Sequence, residues 1–89
     1  MTSYLVELYL PRARETDFAA AAGRAREAAA EMTRAGTPVA CRQAIYLPEE
    51  ETCFYLYDAA SAELVARAVA DAQLPVQRIS QAIADPAPR

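Results

Sequence analysis

Residues 39–57 read VACRQAIYLPEEETCFYLY, and this stretch decides the fold. Both of its ends are rich in the aromatic and aliphatic residues that favour strands, and they flank a short acidic segment that begins with Pro48. The pattern predicts two antiparallel strands, over residues 39–47 and 52–57, joined by a hairpin loop. The other segments can be placed by how they pack against this hairpin.

One helix precedes the hairpin and another follows it. The first is predicted from its N-cap, Thr16, to about Ala35, where Gly36 supplies a stop signal. The second is predicted over residues 62–72, after a cap at Ser61. The buried stripe of the first helix is mostly alanine, so we expect this helix to lie close to the sheet with little space beneath it. Its opposite face is expected to be solvated and carries Arg24, Glu27, Glu31 and Arg34.

Two further strands, one at each end of the sequence over residues 4–10 and 76–83, complete the order β-α-β-β-α-β. With right-handed crossovers, this order predicts the ferredoxin-like α+β fold, a four-stranded antiparallel sheet with two helices on one face. The chain of 89 residues is expected to form a single ferredoxin-like domain over residues 1–84. Residues 85–89 contain two prolines and are expected to form a flexible tail.

The hairpin register assigns residues to the two faces of the sheet, since alternate residues of a strand share a face. If Leu47 pairs with Thr52, we expect the helices to cover the face that holds Cys41, Gln43, Ile45, Leu47, Phe54 and Leu56. The open face would then hold Arg42, Ala44, Tyr46, Cys53, Tyr55 and Tyr57. The first strand lies beside the third in this fold, so the open face is expected to continue through Leu5, Glu7 and Tyr9.

This tyrosine-rich open face has three candidate uses. A homodimer interface is favoured, because a chain this small needs a second copy to cover a large apolar face, and tyrosine and arginine are enriched at interfaces. A pocket for a small molecule or metal is the second, since convergent polar groups mark binding sites. An RNA-stacking surface is disfavoured, because the third strand lacks the motif of the RRM module and the net charge is −3.

Composition narrows the function classes further. The chain has no histidine, which excludes Ser-His-Asp and Cys-His catalytic machinery. Its nine basic residues are all arginine and form no cluster, so neither nucleic acid nor an anionic membrane is an expected partner. The N-terminus lacks the basic segment of a signal peptide, Glu7 interrupts its apolar run, and no stretch of 18 apolar residues occurs. We therefore expect a cytoplasmic protein.

The two cysteines, Cys41 and Cys53, are too few for a disulfide scaffold. The register places them on opposite faces and roughly 17 Å apart, far beyond the Cα separation of about 7 Å that a disulfide allows. We expect two free thiols that are small core or interface residues. On the open face, Cys53 is also a candidate for a ligand-binding or redox role.

The acidic cluster Glu49, Glu50 and Glu51 occupies the hairpin loop. A solvated loop tip is the simpler interpretation of three adjacent charges. The alternative is an oxygen-ligand site for a divalent ion, completed by groups from a second chain. Near the last strand, Arg78 is expected to pair with an acid of the hairpin, and a binding role is its alternative.

Three segments of the chain resemble blocks of one known family, in the same order and spacing. They are YLVELYLP at 4–11, LPEEETCFYLYDA at 47–59 and LPVQRIS at 74–80. The family is that of small bacterial nickel-binding proteins with a ferredoxin-like fold. The resemblance implies a homodimer and a nickel-sequestering role, with nickel or another divalent metal as cofactor. By motif, the nearest equivalents of its functional positions are Glu7, Glu49, Glu50, Glu51 and Arg78.

Nickel favours nitrogen and sulfur ligands, and the chain offers no imidazole. The four carboxylates of these motifs, Glu7, Glu49, Glu50 and Glu51, are therefore the candidate metal ligands, and we expect any nickel binding to be weak.

These observations support three hypotheses about function. The leading one is a small ligand- or metal-binding protein that acts as a homodimer and has no catalytic residues. The alternatives are an enzyme of the dimeric α+β barrel kind, such as a cofactor-free monooxygenase or isomerase, and a pure protein-interaction module. Such enzymes hold their substrate between helices and sheet, so a large cavity there would favour the enzyme.

Overall fold

Four strands and two α-helices follow one another in the predicted order in the computed structural model, which describes residues 1–85. The elements are β1 (Thr2–Tyr9), a short 3₁₀ helix (Arg12–Arg14), α1 (Asp17–Arg34), β2 (Val39–Leu47), β3 (Thr52–Ala59), α2 (Ala62–Asp71) and β4 (Val76–Ala82). Their bounds lie within two residues of the predicted ones. Of the tail expected over residues 85–89, all but Asp85 lies outside the described residues.

The strands form one antiparallel sheet in the order β2-β3-β1-β4, so β1 and β3 are its central strands. Buried residues of both helices join a single core on one face of this sheet. The arrangement is the ferredoxin-like α+β fold expected from the sequence. Within residues 1–85, the opposite face of the sheet carries no helix.

The core combines small residues from α1 with large residues from the strands. α1 buries Ala22, Ala25, Ala29 and Met32. Tyr55 of β3 lies opposite this helix and is 0% exposed. Because an alanine methyl group reaches only a short way from the helix, the space down to the sheet must be filled by large strand side chains, and close packing then favours tyrosine rings.

The predicted assignment of the two sheet faces is wrong. Cys53, Tyr55 and Tyr57 are 0% exposed and lie on the helix-covered face, whereas Ile45 and Leu47 are 44% and 40% exposed on the open face. The hairpin pairing itself was predicted correctly, since Leu47 pairs with Thr52 and Ile45 with Phe54. The error arose from choosing the covered face by aliphatic character instead of by the volume that alanine-rich helices leave to be filled.

A β-bulge at Arg42 changes the second half of the hairpin. Cys41 opposes Tyr57 and Gln43 opposes Leu56, which leaves Arg42 as the extra residue between two paired positions. The predicted pairing of Arg42 with Tyr57 is therefore wrong. Cys41 lies on the covered face, as predicted, but Cys53 lies there too, so the predicted placement of the two cysteines on opposite faces is wrong. Tyr57, which pairs with Cys41, lies four positions along β3 from Cys53, about 13 Å at the usual strand rise. Both thiols are free, as expected.

The helix ends follow the predicted signals except at Thr16. This residue has helical backbone angles and no capping bond, because the preceding 3₁₀ helix leads almost directly into α1. Ser61 caps α2 as expected, accepting from the Leu64 N–H at 3.4 Å. Gly36, with φ of 100°, ends α1 in the left-handed conformation that favours glycine. Neither α-helix of the described chain has the length and apolar character needed to cross a membrane.

Candidate functional site

A cavity of about 540 Å³ lies between the first turns of α1, the end of β1 and the loop that joins α2 to β4. We call it the α1 cleft. Its apolar walls include Leu8, Leu10, Ala21 and Leu74, and Tyr55 forms part of its floor. The alanine side chains that bring α1 close to the sheet were expected to leave little space, and at this end of the helix that expectation is wrong.

Tyr55 and Cys53 place two protonated polar groups in the floor of the α1 cleft. Both side chains are 0% exposed. The hydroxyl of Tyr55 has no hydrogen-bond partner among the described residues. Burial is the main cause that raises its pKa, to about 12, and burial also raises the pKa of the Cys53 thiol. At neutral pH the floor therefore contains a phenol and a thiol, not their anions.

The charged residues of the α1 cleft stand at its rim. Arg14 donates from Nε to Asp17 at 2.8 Å, and its Nη2 lies 2.7 Å from the same carboxylate, so these two charges neutralise each other. Arg24 donates from Nε to the carbonyl of Ala72 at 3.0 Å. Within residues 1–85, no carboxylate lies within 4.0 Å of the Arg24 guanidinium. The rim thus carries one unbalanced positive charge.

Gln73 also lines the α1 cleft, and its backbone is strained. Its φ of 59° is left-handed, a conformation that costs an ordinary residue about 1–2 kcal/mol relative to the right-handed one. It is enforced by the end of α2, where Gln73 N–H donates to Ala70 and Leu74 N–H donates to Val69, each at 3.0 Å. Glycine or asparagine is usual at this position, so the glutamine places an amide at the rim at some cost in stability.

The open face of the sheet carries a second feature, an apolar surface that we call the open-face patch. The register brings together on it Leu5, Tyr9, Ile45, Leu47, Phe54 and Leu56. Ile45 and Tyr9 are 44% and 49% exposed, and Phe54 is partly buried. The Glu7–Arg78 ion pair adjoins the patch beside Phe54, with Glu7 between Leu5 and Tyr9 on β1, and the Arg42–Asp58 pair lies at another edge.

The two ion pairs beside the patch differ in the further hydrogen bonds that their acids accept. Arg78 Nη2 lies 3.3 Å from Glu7 across β1 and β4, so this arginine pairs with a strand acid instead of the hairpin acid that was expected. Arg42, released by the bulge, lies 2.6 Å from Asp58. Ser3 also donates to Asp58 at 2.9 Å. The hydrogen bond from Ser3, followed by that from Arg42, lowers the pKa of Asp58.

The structure divides the residues that were predicted to share the open face. Tyr9, Arg42 and Arg78 do lie on it or at its margin. The four that lie on the covered face instead are Tyr46, Cys53, Tyr55 and Tyr57. Tyr46 stacks on Phe18 with ring centroids 5.7 Å apart and donates its hydroxyl to the Leu10 carbonyl at 2.9 Å.

The acidic hairpin loop is partly structural. Glu51 has a left-handed φ of 51°, its carboxylate accepts from the Arg12 N–H at 2.7 Å, and its carbonyl accepts from the Leu10 N–H at 2.8 Å. It therefore holds the connection between β1 and α1. Glu49 and Glu50 are exposed at the turn.

The candidate metal ligands do not converge. Glu7 lies on the sheet beside Arg78, away from the loop, and Glu51 is engaged by backbone groups. Among residues 1–85, no three Cys, Asp or Glu side chains gather closely enough to hold a metal ion. The donor set in this part of the chain does not fit a nickel site, so nickel binding stays a prediction from the resemblance.

Comparisons of the chain with protein-family models, with curated proteins and with solved structures find no match. The resemblance to nickel-binding proteins therefore rests on the three sequence blocks alone. The α1 cleft and the open-face patch are the two features of the molecule that bear on its function.

Proposed function

We propose that this chain is a binding protein for a small organic molecule, that the molecule occupies the α1 cleft, and that the protein acts as a homodimer. The observation that carries the proposal is the cleft itself. Its volume of about 540 Å³ falls within the range of about 300–1,000 Å³ that is common for ligand pockets. Its walls are largely apolar and a few polar groups converge on it, which is the usual composition of such sites.

Binding is favoured over catalysis by the ionisation of the groups in the cleft. General acid–base catalysis works best with a group whose pKa lies near the working pH. Burial raises the pKa of Tyr55 to about 12 and raises that of Cys53 as well, and Asp17 is held in an ion pair by Arg14. Neither the phenol nor the thiol is poised to transfer a proton at neutral pH, so the cleft is better suited to binding through its apolar walls and its rim. An enzyme of the dimeric α+β barrel kind would use the same cavity and is the alternative.

A metal cargo has less support than an organic ligand. The candidate carboxylates lie at two separate places, the sheet and the hairpin loop, and two of the four, Glu7 and Glu51, are already engaged by protein groups. Single exposed carboxylates bind divalent ions weakly, because several oxygen ligands must be organised around the ion. Calorimetric titration with Ni²⁺ tests this directly, and tight binding would return the metal hypothesis to first place.

The homodimer is supported by the composition of the open-face patch. Its apolar residues and the ion pairs beside them resemble the mixed composition of a protein interface. Because Glu7 and Arg78 present opposite charges side by side, two copies related by a two-fold axis can meet with each acid near a base. A second copy of this chain therefore suits the patch better than a partner of one charge sign.

The cleft is tested by filling it from α1. Ala20 is exposed and lines the α1 cleft, whereas its neighbour Ala19 is exposed on the same helix and does not line it. We expect Ala20→Phe to weaken binding of the neutral fluorescent probe N-phenyl-1-naphthylamine about tenfold, since crowding a packed site costs about 1–3 kcal/mol. Ala19→Phe should leave the titration unchanged. A wild-type protein that does not enhance the fluorescence of the probe, or equal losses in both variants, would contradict the proposal.

A further inference from the structure

The charges around the α1 cleft do not cancel. Three charged side chains line it, and Arg14 and Asp17 are paired with each other at 2.7 Å. Arg24 remains as the unbalanced charge. A single positive group at the mouth of an apolar cavity favours an anion of one charge over a neutral or cationic ligand.

Arg24 is also held in place. Its Nε donates to the carbonyl of Ala72, at the C-terminal end of α2, at 3.0 Å. This bond fixes one side of the planar guanidinium and leaves its two terminal nitrogens without a hydrogen-bond partner among the described residues. Paired terminal nitrogens match the two oxygens of a carboxylate, and an arginine already oriented loses less entropy on binding one.

Nearby acids do not use this charge. A shallow depression on the other side of Arg24 is lined by Glu27, Glu31 and Asp71, yet none of their carboxylates lies within 4.0 Å of a guanidinium nitrogen of Arg24. Glu27 and Glu31 instead pair with Arg34. The guanidinium is thus available to a ligand from the side of the cleft.

The rest of the α1 cleft defines the body of the ligand. Leu8, Leu10 and Leu74 offer apolar walls, and Tyr55, which is 0% exposed, lies beneath them. These apolar walls exclude a highly hydroxylated molecule such as a sugar acid, since its hydroxyl groups would lose hydrogen bonds to water without gaining partners in the cleft.

We infer that the α1 cleft takes a small organic carboxylate with an apolar or aromatic body, its carboxylate paired with Arg24. This inference rests on the proposed function and specifies its ligand class. A purely structural arginine that only caps the end of α2 is the competing interpretation, and the experiment distinguishes the two.

The experiment compares two probes of nearly the same shape, 1-naphthoate and the neutral 1-naphthalenemethanol, each by displacement of N-phenyl-1-naphthylamine. We expect 1-naphthoate to bind at least tenfold more tightly, because hydrogen bonds to charged groups contribute about 1.5–3 kcal/mol. The preference should fall as salt is added. Arg24→Met should abolish it, and Arg24→Lys, which keeps the charge but loses the fork, should retain part of it.

Arg26→Met is the matched control, since Arg26 is exposed on the same helix and does not line the α1 cleft. Equal affinities of the two probes for the wild-type protein, or a preference unchanged in Arg24→Met, would overturn the carboxylate inference while the neutral probe still reported the cleft. If the wild-type protein binds neither probe nor N-phenyl-1-naphthylamine, the proposed function itself is overturned. If Arg24→Met fails to fold, the partial preference of Arg24→Lys decides.

Discussion

The two faces of one sheet are built from adjacent residues of the same strands, yet they differ sharply in environment. On β3, Tyr55 and Tyr57 are 0% exposed under the helices, whereas Phe54 and Leu56 between and beside them are only partly buried on the open side. All four side chains are large and apolar in their greater part. Hydrophobic character therefore did not select the covered face, and the shape of the helices above it did.

Alanine-rich helices require large partners beneath them. Ala22 and Ala25 of α1 present single methyl groups to the sheet. A phenol ring spans the remaining distance, and its hydroxyl reaches a region where, for both Tyr55 and Tyr57, no partner is found among the described residues. The covered face thus combines full burial with two unpaired polar atoms, while the open face combines exposure with satisfied ion pairs.

The largest expected effect is a difference in stability between substitutions on the two faces. Tyr57→Ala removes a fully buried ring and should lower the free energy of unfolding by about 3–5 kcal/mol. Ile45→Ala, on the open face at 44% exposure, should cost less than about 1 kcal/mol in the monomer. Urea denaturation at protein concentrations low enough to dissociate a dimer measures both. Similar losses in the two variants would mean that the faces do not differ as described.

The next effect concerns dimer formation, which should depend on the open face of the sheet. Phe54→Arg introduces a charge at the centre of the open-face patch and should weaken the homodimer by about 2 kcal/mol or more, a loss typical of residues central to an interface. Ala66→Arg adds the same side chain at an exposed position of α2 and should leave the dimer intact. Sedimentation velocity over a concentration series reads the result. A wild-type chain that stays monomeric throughout would remove the open-face patch from the proposal.

The smallest effect concerns the pH dependence of stability, to which the two faces should contribute at opposite ends of the pH range. The raised pKa of Tyr55, about 12, gives stability that is complete below pH 10, the ordinary tyrosine pKa, and is lost as pH rises through 12. The lowered pKa of Asp58 gives stability that is present above its ordinary value of 3.8 and is lost as pH falls through the lower value. Tyr55→Phe should therefore flatten the alkaline limb of a stability profile, and Asp58→Asn the acid limb.

Each of these two variants serves as the control for the other. Thermal unfolding across pH 2–12 records both limbs in one series. An alkaline limb unchanged in Tyr55→Phe would show that the phenol does not titrate with unfolding, and an acid limb unchanged in Asp58→Asn would show the same for the carboxylate.

The strands, helices and their order were predictable because they depend on local signals. Strand-favouring residues ahead of Pro48 predicted β2 at its observed bounds, and Ser61 and Gly36 marked helix ends by their own side-chain and backbone chemistry. The pairing of Leu47 with Thr52 beside the loop was also predicted correctly. These features need no knowledge of what lies across the core.

The candidate site was less predictable because its parts acquire their roles from distant contacts. Arg24 carries the same signal as any charge on the solvated face of α1, and only the carbonyl of Ala72, 48 positions away, shows that it is held at the cleft. Gln73 gives no turn signal, since glycine is the residue expected at a left-handed helix end. The bulge at Arg42 shifts the alternation of β2 without a local sequence signal, which is why Cys41 was predicted to share a face with Ile45 and Leu47 instead of with Cys53.

Two hydrogen bonds to Glu51 couple the β1–α1 connection to the hairpin loop. The Glu51 carbonyl accepts from the amide of Leu10, and its carboxylate accepts from the amide of Arg12, 39 positions away. Both bonds exist only while β1 lies beside β3, so a change in the loop is transmitted to the start of the first crossover. Hairpin loops ordinarily tolerate insertions, but an extra residue before Glu51 would shift both acceptors and loosen one wall of the α1 cleft, which Leu10 helps to form.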